Sequence, residues 1–236
     1  MGLDVYVGSF TRYYCQDWQL ITQQMQDEEV IVVRLGDEGE PPPGREEVLP
    51  SVKAWREALK RTNDFVVDWE EDPDAPYFTD KPTWDAYGSL MLWHAYTAHP
   101  KMKRPQGFVD DWSKDAAFRA CSRKGWFGSL KNPFAAFGQL VLGCEWWLPC
   151  KLPGVLRIDD VGGSEKQVGS SIDLLKQLDD LNAQTWRADS KQLQEWRAAG
   201  VDFQAPMEVG ARYALAVFQE LAKKSIEHRL PMILDY

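Results

Sequence analysis

The sequence predicts an α+β protein, mostly helical with a small mixed β-sheet, folded as a single compact domain. Three observations lead there. Leu3, Val5 and Val7 alternate with Asp4 and Tyr6, several long stretches carry apolar residues at helical spacing, and Gly162-Gly163 separates two short β-like runs. A chain of 236 residues can bury roughly 70 to 75% of its unfolded surface. No internal repeat or composition break divides it.

The opening alternation is that of a strand with one face buried. Residues 8–14 read as the loop beyond it, and Trp18, Ile21 and Met25 then recur at helical spacing behind Asp17, a good N-cap residue. The β-branched run 30–35 reads as a second strand, giving a small βαβ unit at the start. Residues 36–50 hold four prolines, three glycines and five acids, a composition that predicts an exposed acidic loop. A helix is expected over 51–61, with Val52, Trp55 and Leu59 on one stripe. Residues 68–80 carry six carboxylates and read as irregular and solvated. Thr83 then caps a helix with one stripe of Trp84, Tyr87, Met91, Ala95 and Ala98 and another of Leu92, Trp93 and Tyr96. Such a helix is buried nearly all round, and Pro100 stops it. Residues 110–122 and the apolar run 133–147 are expected to be helical too.

In the second half, 155–161 and 165–168 form a hairpin about the Gly-Gly pair, since glycine supplies the positive φ of a tight turn. Ser170 and Asp173 resemble a capping box ahead of Leu174, Leu178 and Leu181. A short helix over 190–199 ends at Gly200, a fitting C′ residue. The last helix opens at Pro206, carries Ala211, Ala214, Phe218, Leu221 and Ser225 at helical spacing, and places Lys223 and Lys224 near its negative end. Residues 230–234 read as a closing strand that Pro231 confines to a sheet edge or to a strand start.

Composition narrows the function classes. A net charge of −9 argues against nucleic acid and against an anionic membrane surface, because both draw their affinity from excess Lys and Arg. Neither of the two most apolar runs, broken by His94 and Glu145, is fit to span a bilayer. The start of the chain carries Asp4 and no basic region, unlike a secretory leader. Four scattered cysteines read as reduced thiols. Together these place the protein in the cytoplasm.

Catalytic signatures are missing. His94 and His99 lie roughly 140° apart around a helix, and there is no Cys-x-x-Cys pair, so no metal site is expected. There is no nucleophile elbow, no phosphate loop and no dinucleotide fingerprint, so no cofactor is expected. The doublets Asp110-Asp111, Asp159-Asp160 and Asp179-Asp180 do not make a glycosidase pair, since neighbouring side chains diverge. Most of the eleven tryptophans sit at core-facing positions.

Two local features remain as candidate binding residues. Thr11, Arg12, Tyr13 and Tyr14 place a hydroxyl, a cation and two phenols just beyond the first strand, where such folds commonly build sites. Glu145 precedes Trp146 and Trp147, two adjacent indoles that cannot both face one core, so that Trp146 or its neighbour would line a cleft or interface. His94 and Glu145 are the acid–base candidates to join the loop.

Charge is uneven along the chain. Residues 36–80 hold thirteen acids and five bases, whereas 101–131 hold eight bases and three acids. The first reading is therefore a non-enzymatic binding protein, immunity-like towards a basic protein partner. The second is a small-molecule-binding protein or hydrolase built on the loop at Thr11 to Tyr14. The opening Gly2-Leu3-Asp4-Val5-Tyr6-Val7-Gly8 with Thr11-Arg12-Tyr13-Tyr14, and the later Leu181-Asn182-Ala183-Gln184-Thr185-Trp186, resemble an uncharacterised family of bacterial hypothetical proteins. That resemblance implies a bacterial cytosolic origin and carries over no functional residue.

Overall fold

Strand alternation sorts the aromatic and aliphatic residues into two cores, one on each face of the sheet. In β1 (Asp4–Val7), Val5 joins one core with Val7 while Tyr6 joins the other. A computed structural model describes residues 2–24, 41–62, 67, 69, 71–122, 138–141 and 143–236. In chain order the helices are α1 (Phe10–Tyr14), α2 (Ile21–Gln24), α3 (Arg45–Thr62), α4 (Trp84–Ala98), α5 (Ala116–Ser122), α6 (Gly138–Val141), α7 (Ser171–Gln184), α8 (Ser190–Ala199) and α9 (Met207–His228). The later strands are β2 (Phe78–Asp80), β3 (Trp146–Leu148), β4 (Leu156–Asp159), β5 (Glu165–Ser170) and β6 (Met232–Asp235).

Among the described residues six strands form one mixed sheet in the order β2-β1-β6-β3-β5-β4, with β3 and β5 parallel and the other pairs antiparallel. Helices α4, α7 and α9 supply Leu90, Leu178 and Phe218 to the core that takes Trp147, Met232 and Leu234. On the other side Phe10 of α1 and Val48, Val52 and Leu59 of α3 pack with Trp146, Leu148 and Ile233. The predicted α+β class with a small mixed sheet is what forms, helices covering both faces.

Several elements follow the sequence reading closely. Helix α4 is buried from Ala86 to Tyr96, and the Thr83 hydroxyl caps it by accepting the Ala86 N–H. The Ser170 hydroxyl accepts the Asp173 N–H at the start of α7, and Gly200 closes α8 at φ +67°. The β4–β5 hairpin forms with Gly163 at φ +82°.

Others depart from it, each for a local reason. Residues 8–14 are not a loop: the Ser9 side chain accepts the Arg12 N–H and starts α1. Among the described residues the helix expected from Trp18 begins only at Ile21, while Asp17 pairs with Arg45 and Trp18 packs on Tyr6; Met25 lies outside the described residues. Helix α3 begins at Arg45, so the exposed loop keeps only 41–44 among the described residues. Pro50 forfeits one helical hydrogen bond within α3. Within 68–80, Trp69, Glu71, Thr79 and Asp80 are buried, and β2 pairs with β1. The run 110–122 divides into a single 3-10 turn and α5. The run 133–147 ends in strand β3, a short apolar run being unable to declare helix or strand by its period. The closing strand forms as expected, with Pro231 just before its start where the missing N–H is harmless, and this β6 lies inside the sheet between β1 and β3. The expected strand at 30–35 lies outside the described residues.

Candidate functional site

The loop residues singled out beyond β1 serve packing. Thr11 is fully buried, and its N–H donates to Glu71 Oε1 at 2.6 Å. Arg12 donates to the Pro73 carbonyl at 2.8 Å and lies over the Tyr77 ring. Tyr13 donates to Asp235 at 2.7 Å and stacks on Trp18. Burial raises the Tyr14 phenol above its ordinary range, with Asp160 adding to the effect.

Of the other three candidates, His94 lies apart from the adjacent Glu145 and Trp146. Trp146 is buried against Phe10, with ring centroids 4.8 Å apart, so it does share a core with α1. Trp147 points to the opposite face, which is how both indoles are buried: the sheet has two cores, and neither indole has to line a cleft. Glu145 forms an ion pair of 2.8 Å with Lys166. His94 is buried on α4, across the sheet from α1, and is not brought to the loop. None of the seven lines the cavities described below.

A basic cavity does form next to this loop. On α3, Lys53, Arg56 and Lys60 are spaced i, i+3 and i+7 and share one face. The Arg56 guanidinium lies 5.0 Å from the centre of the Trp69 ring. These residues, with Val67, Glu71 and Arg229, line a cavity of about 430 Å³. Glu71 reaches it because the Thr11 N–H at the start of α1 holds one of its oxygens.

Arg229 enters from the end of α9. It occupies the left-handed region at φ +56° and ψ +44°, and the Leu230 N–H returns to the Ser225 carbonyl. Helices commonly end in this way with glycine, because a Cβ is strained there. The arginine thus takes a strained position and lines the cavity.

Among the described residues the lining holds four cations and a single carboxyl. Burial raises the Glu71 carboxyl above the usual range, although the Thr11 N–H and the Arg56 charge pull the other way. Glu71 Oε2 and Trp69 Nε1 are both buried without a hydrogen-bond partner among the described residues, and unmatched groups of this kind are costly unless something fills the role. Lys60 also holds Glu57 at 2.7 Å on the helix surface. No group of three or more potential metal ligands occurs among the described residues.

The cationic face of α3 was open to sequence reasoning as an i, i+3, i+7 pattern. Glu71 and Trp69 were hidden in an acid-rich stretch read as solvated, and Arg229 meets α3 only through the tertiary fold. Comparison with protein-family models, curated proteins and solved structures finds no match for this chain. Among the described residues no helix is long and apolar enough to cross a membrane.

Proposed function

We propose that the protein binds a small hydroxylated oxyanion, such as a phosphorylated or carboxylated sugar, in the cavity between α3 and the end of α9. The observation that carries this reading is the convergence of Lys53, Arg56, Lys60 and Arg229 on a cavity floored by Trp69 and Glu71. About 430 Å³ suits a single-ring metabolite. The cations take the charged group, the Trp69 N–H donates to it, and Glu71 Oε2 takes a hydroxyl. The described lining holds no histidine, cysteine or serine, which favours binding over turnover.

Titration calorimetry with glucose 6-phosphate and with sulfate tests the reading. Lys53→Ala/Lys60→Ala is expected to weaken both by about tenfold or more, as loss of charge-assisted hydrogen bonds implies. Arg229→Gly is the sharper variant. It relieves the left-handed strain, so the melting temperature holds or rises, while affinity still falls. Sulfate keeps its charge across the relevant pH range, so its affinity should decline as pH rises through the raised Glu71 titration, and Glu71→Gln should flatten that decline. Unchanged affinity in both cation variants overturns the reading.

A second reading, a basic protein partner, is favoured by the exposed carboxylates of Asp17, Glu46, Glu47, Asp72 and Asp74 around Arg45, which itself pairs with Asp17 and Asp74. A partner of this kind is expected to be retained at low salt, released at high salt and lost on Glu46→Lys/Glu47→Lys. Retention that survives both the charge reversal and high salt rules it out.

A further inference from the structure

A second cavity, of about 660 Å³, opens on the other side of the sheet among the end of α4, the segment after it, the end of α7 and the first turn of α9. Trp93, Tyr96, Pro100, Met102, Arg104, Trp186 and Glu208 do most of its lining. The Trp93 ring stacks on Trp186, with centroids 4.8 Å apart and 19° between planes. The Arg104 guanidinium lies 3.7 Å from the centre of the Trp93 ring.

Arg104 is left with unused donors. Its Nη2 makes a long contact of 3.4 Å to the Thr97 hydroxyl. Its Nε is buried without a hydrogen-bond partner, and no carboxylate lies within ion-pair distance of it among the described residues. Trp93 is 6% exposed, and its indole N–H is likewise buried without a partner among the described residues. Glu208 is already engaged, accepting from Trp186 Nε1 at 3.1 Å and pairing with Arg212. Met102 stands exposed beside these groups.

We infer that this cleft binds a small monocarboxylate with an apolar body, its carboxylate on Arg104 and the Trp93 N–H and its body against Tyr96, Pro100 and Met102. A planar guanidinium with open N–H groups matches a carboxylate in two-point fashion. The described lining holds one cation, Arg104, and one carboxyl, Glu208, which is already paired with Arg212, too little positive charge to favour a dianion such as a phosphate monoester. Burial lowers the Arg104 pKa, against an opposing pull from the Glu208 charge. The inference uses none of the residues of the α3 cavity, so either site can fail without the other.

The test is a titration of ¹⁵N-indole-labelled protein with phenylacetate and with phenyl phosphate, the Trp93 signal being assigned through Trp93→Phe. Phenylacetate is expected to shift the Trp93 and Trp186 indole signals saturably, with phenyl phosphate at least tenfold weaker. Arg104→Gln should weaken phenylacetate by at least tenfold, and Arg104→Lys should weaken it less. If Arg104→Gln does not fold, the Arg104→Lys loss and the ranking of the two probes decide. No saturable shift, equal affinity for the two probes, or undiminished binding in the folded Arg104 variants overturns the inference.

Discussion

Phe218→Ala is expected to destabilise the protein by about 3 to 5 kcal/mol, the range for removing a fully buried aromatic ring. Phe218 is fully buried on α9, with its ring 5.6 Å from Tyr87 of α4 and 6.1 Å from Trp147 of β3. It therefore ties the two most heavily packed helices to the centre of the sheet. Truncation leaves a void that rigid neighbours cannot close, because Tyr87 and Trp147 are themselves almost wholly buried. For a domain of this size the loss corresponds to a drop of roughly 6 to 20 °C in melting temperature. Chemical denaturation at neutral pH measures it directly. A loss below about 1 kcal/mol would mean that the helices collapse onto the sheet far more freely than close packing allows.

The same residue shows how much of the fold was legible. Phe218 sits on a stripe with Ala211, Ala214 and Leu221 that predicts α9 outright, with Pro206 before its first turn. Helix α4 was equally legible, because apolar residues all round it can mean only a buried helix. Legibility fails where tertiary partners decide local structure. Helix α1 is five residues long, too short to show a period, and it exists because Ser9 and Glu71 satisfy its first N–H groups. Glu71 lies sixty residues away, so no local window contains the cause.

The candidate site was less legible than the fold, for a related reason. Trp146 and Trp147 posed a puzzle only while a single core was assumed; with both faces of the sheet covered, alternation buries both. Residues 36–80 read as an acidic block by count. Folding nevertheless turns Lys53, Arg56 and Lys60 together on one face of α3, and brings Arg229 to them from the far end of the chain. Net charge over a segment says nothing about which sign faces a cavity.

His94 gives the second large effect, and its sign follows from burial alone. The side chain is 1% exposed in the α4 layer, and burial holds its pKa at about 4, below the usual 6.5. Above pH 6.5 the imidazole is neutral in both folded and unfolded chains, so it contributes no pH dependence. As pH falls from 6.5 to 4 the unfolded chain takes up a proton that the folded chain refuses, and stability declines. The full difference is about 3 kcal/mol, reached below pH 4. Glu71 acts in the opposite sense: its raised pKa makes the folded state the better proton acceptor, so its contribution weakens as pH rises. A single wild-type curve therefore mixes two slopes, and a difference measurement separates them. His94→Leu should gain about 3 kcal/mol relative to wild type between pH 7 and pH 4, whatever its offset at neutral pH. Parallel curves for the two proteins would mean that His94 is protonated inside the fold. A buried imidazole that stays neutral down to about pH 4, on the far face of the sheet from α1, is not placed to exchange protons with a ligand near Thr11 to Tyr14. That separation removes His94 as an acid–base partner for the Thr11 to Tyr14 segment.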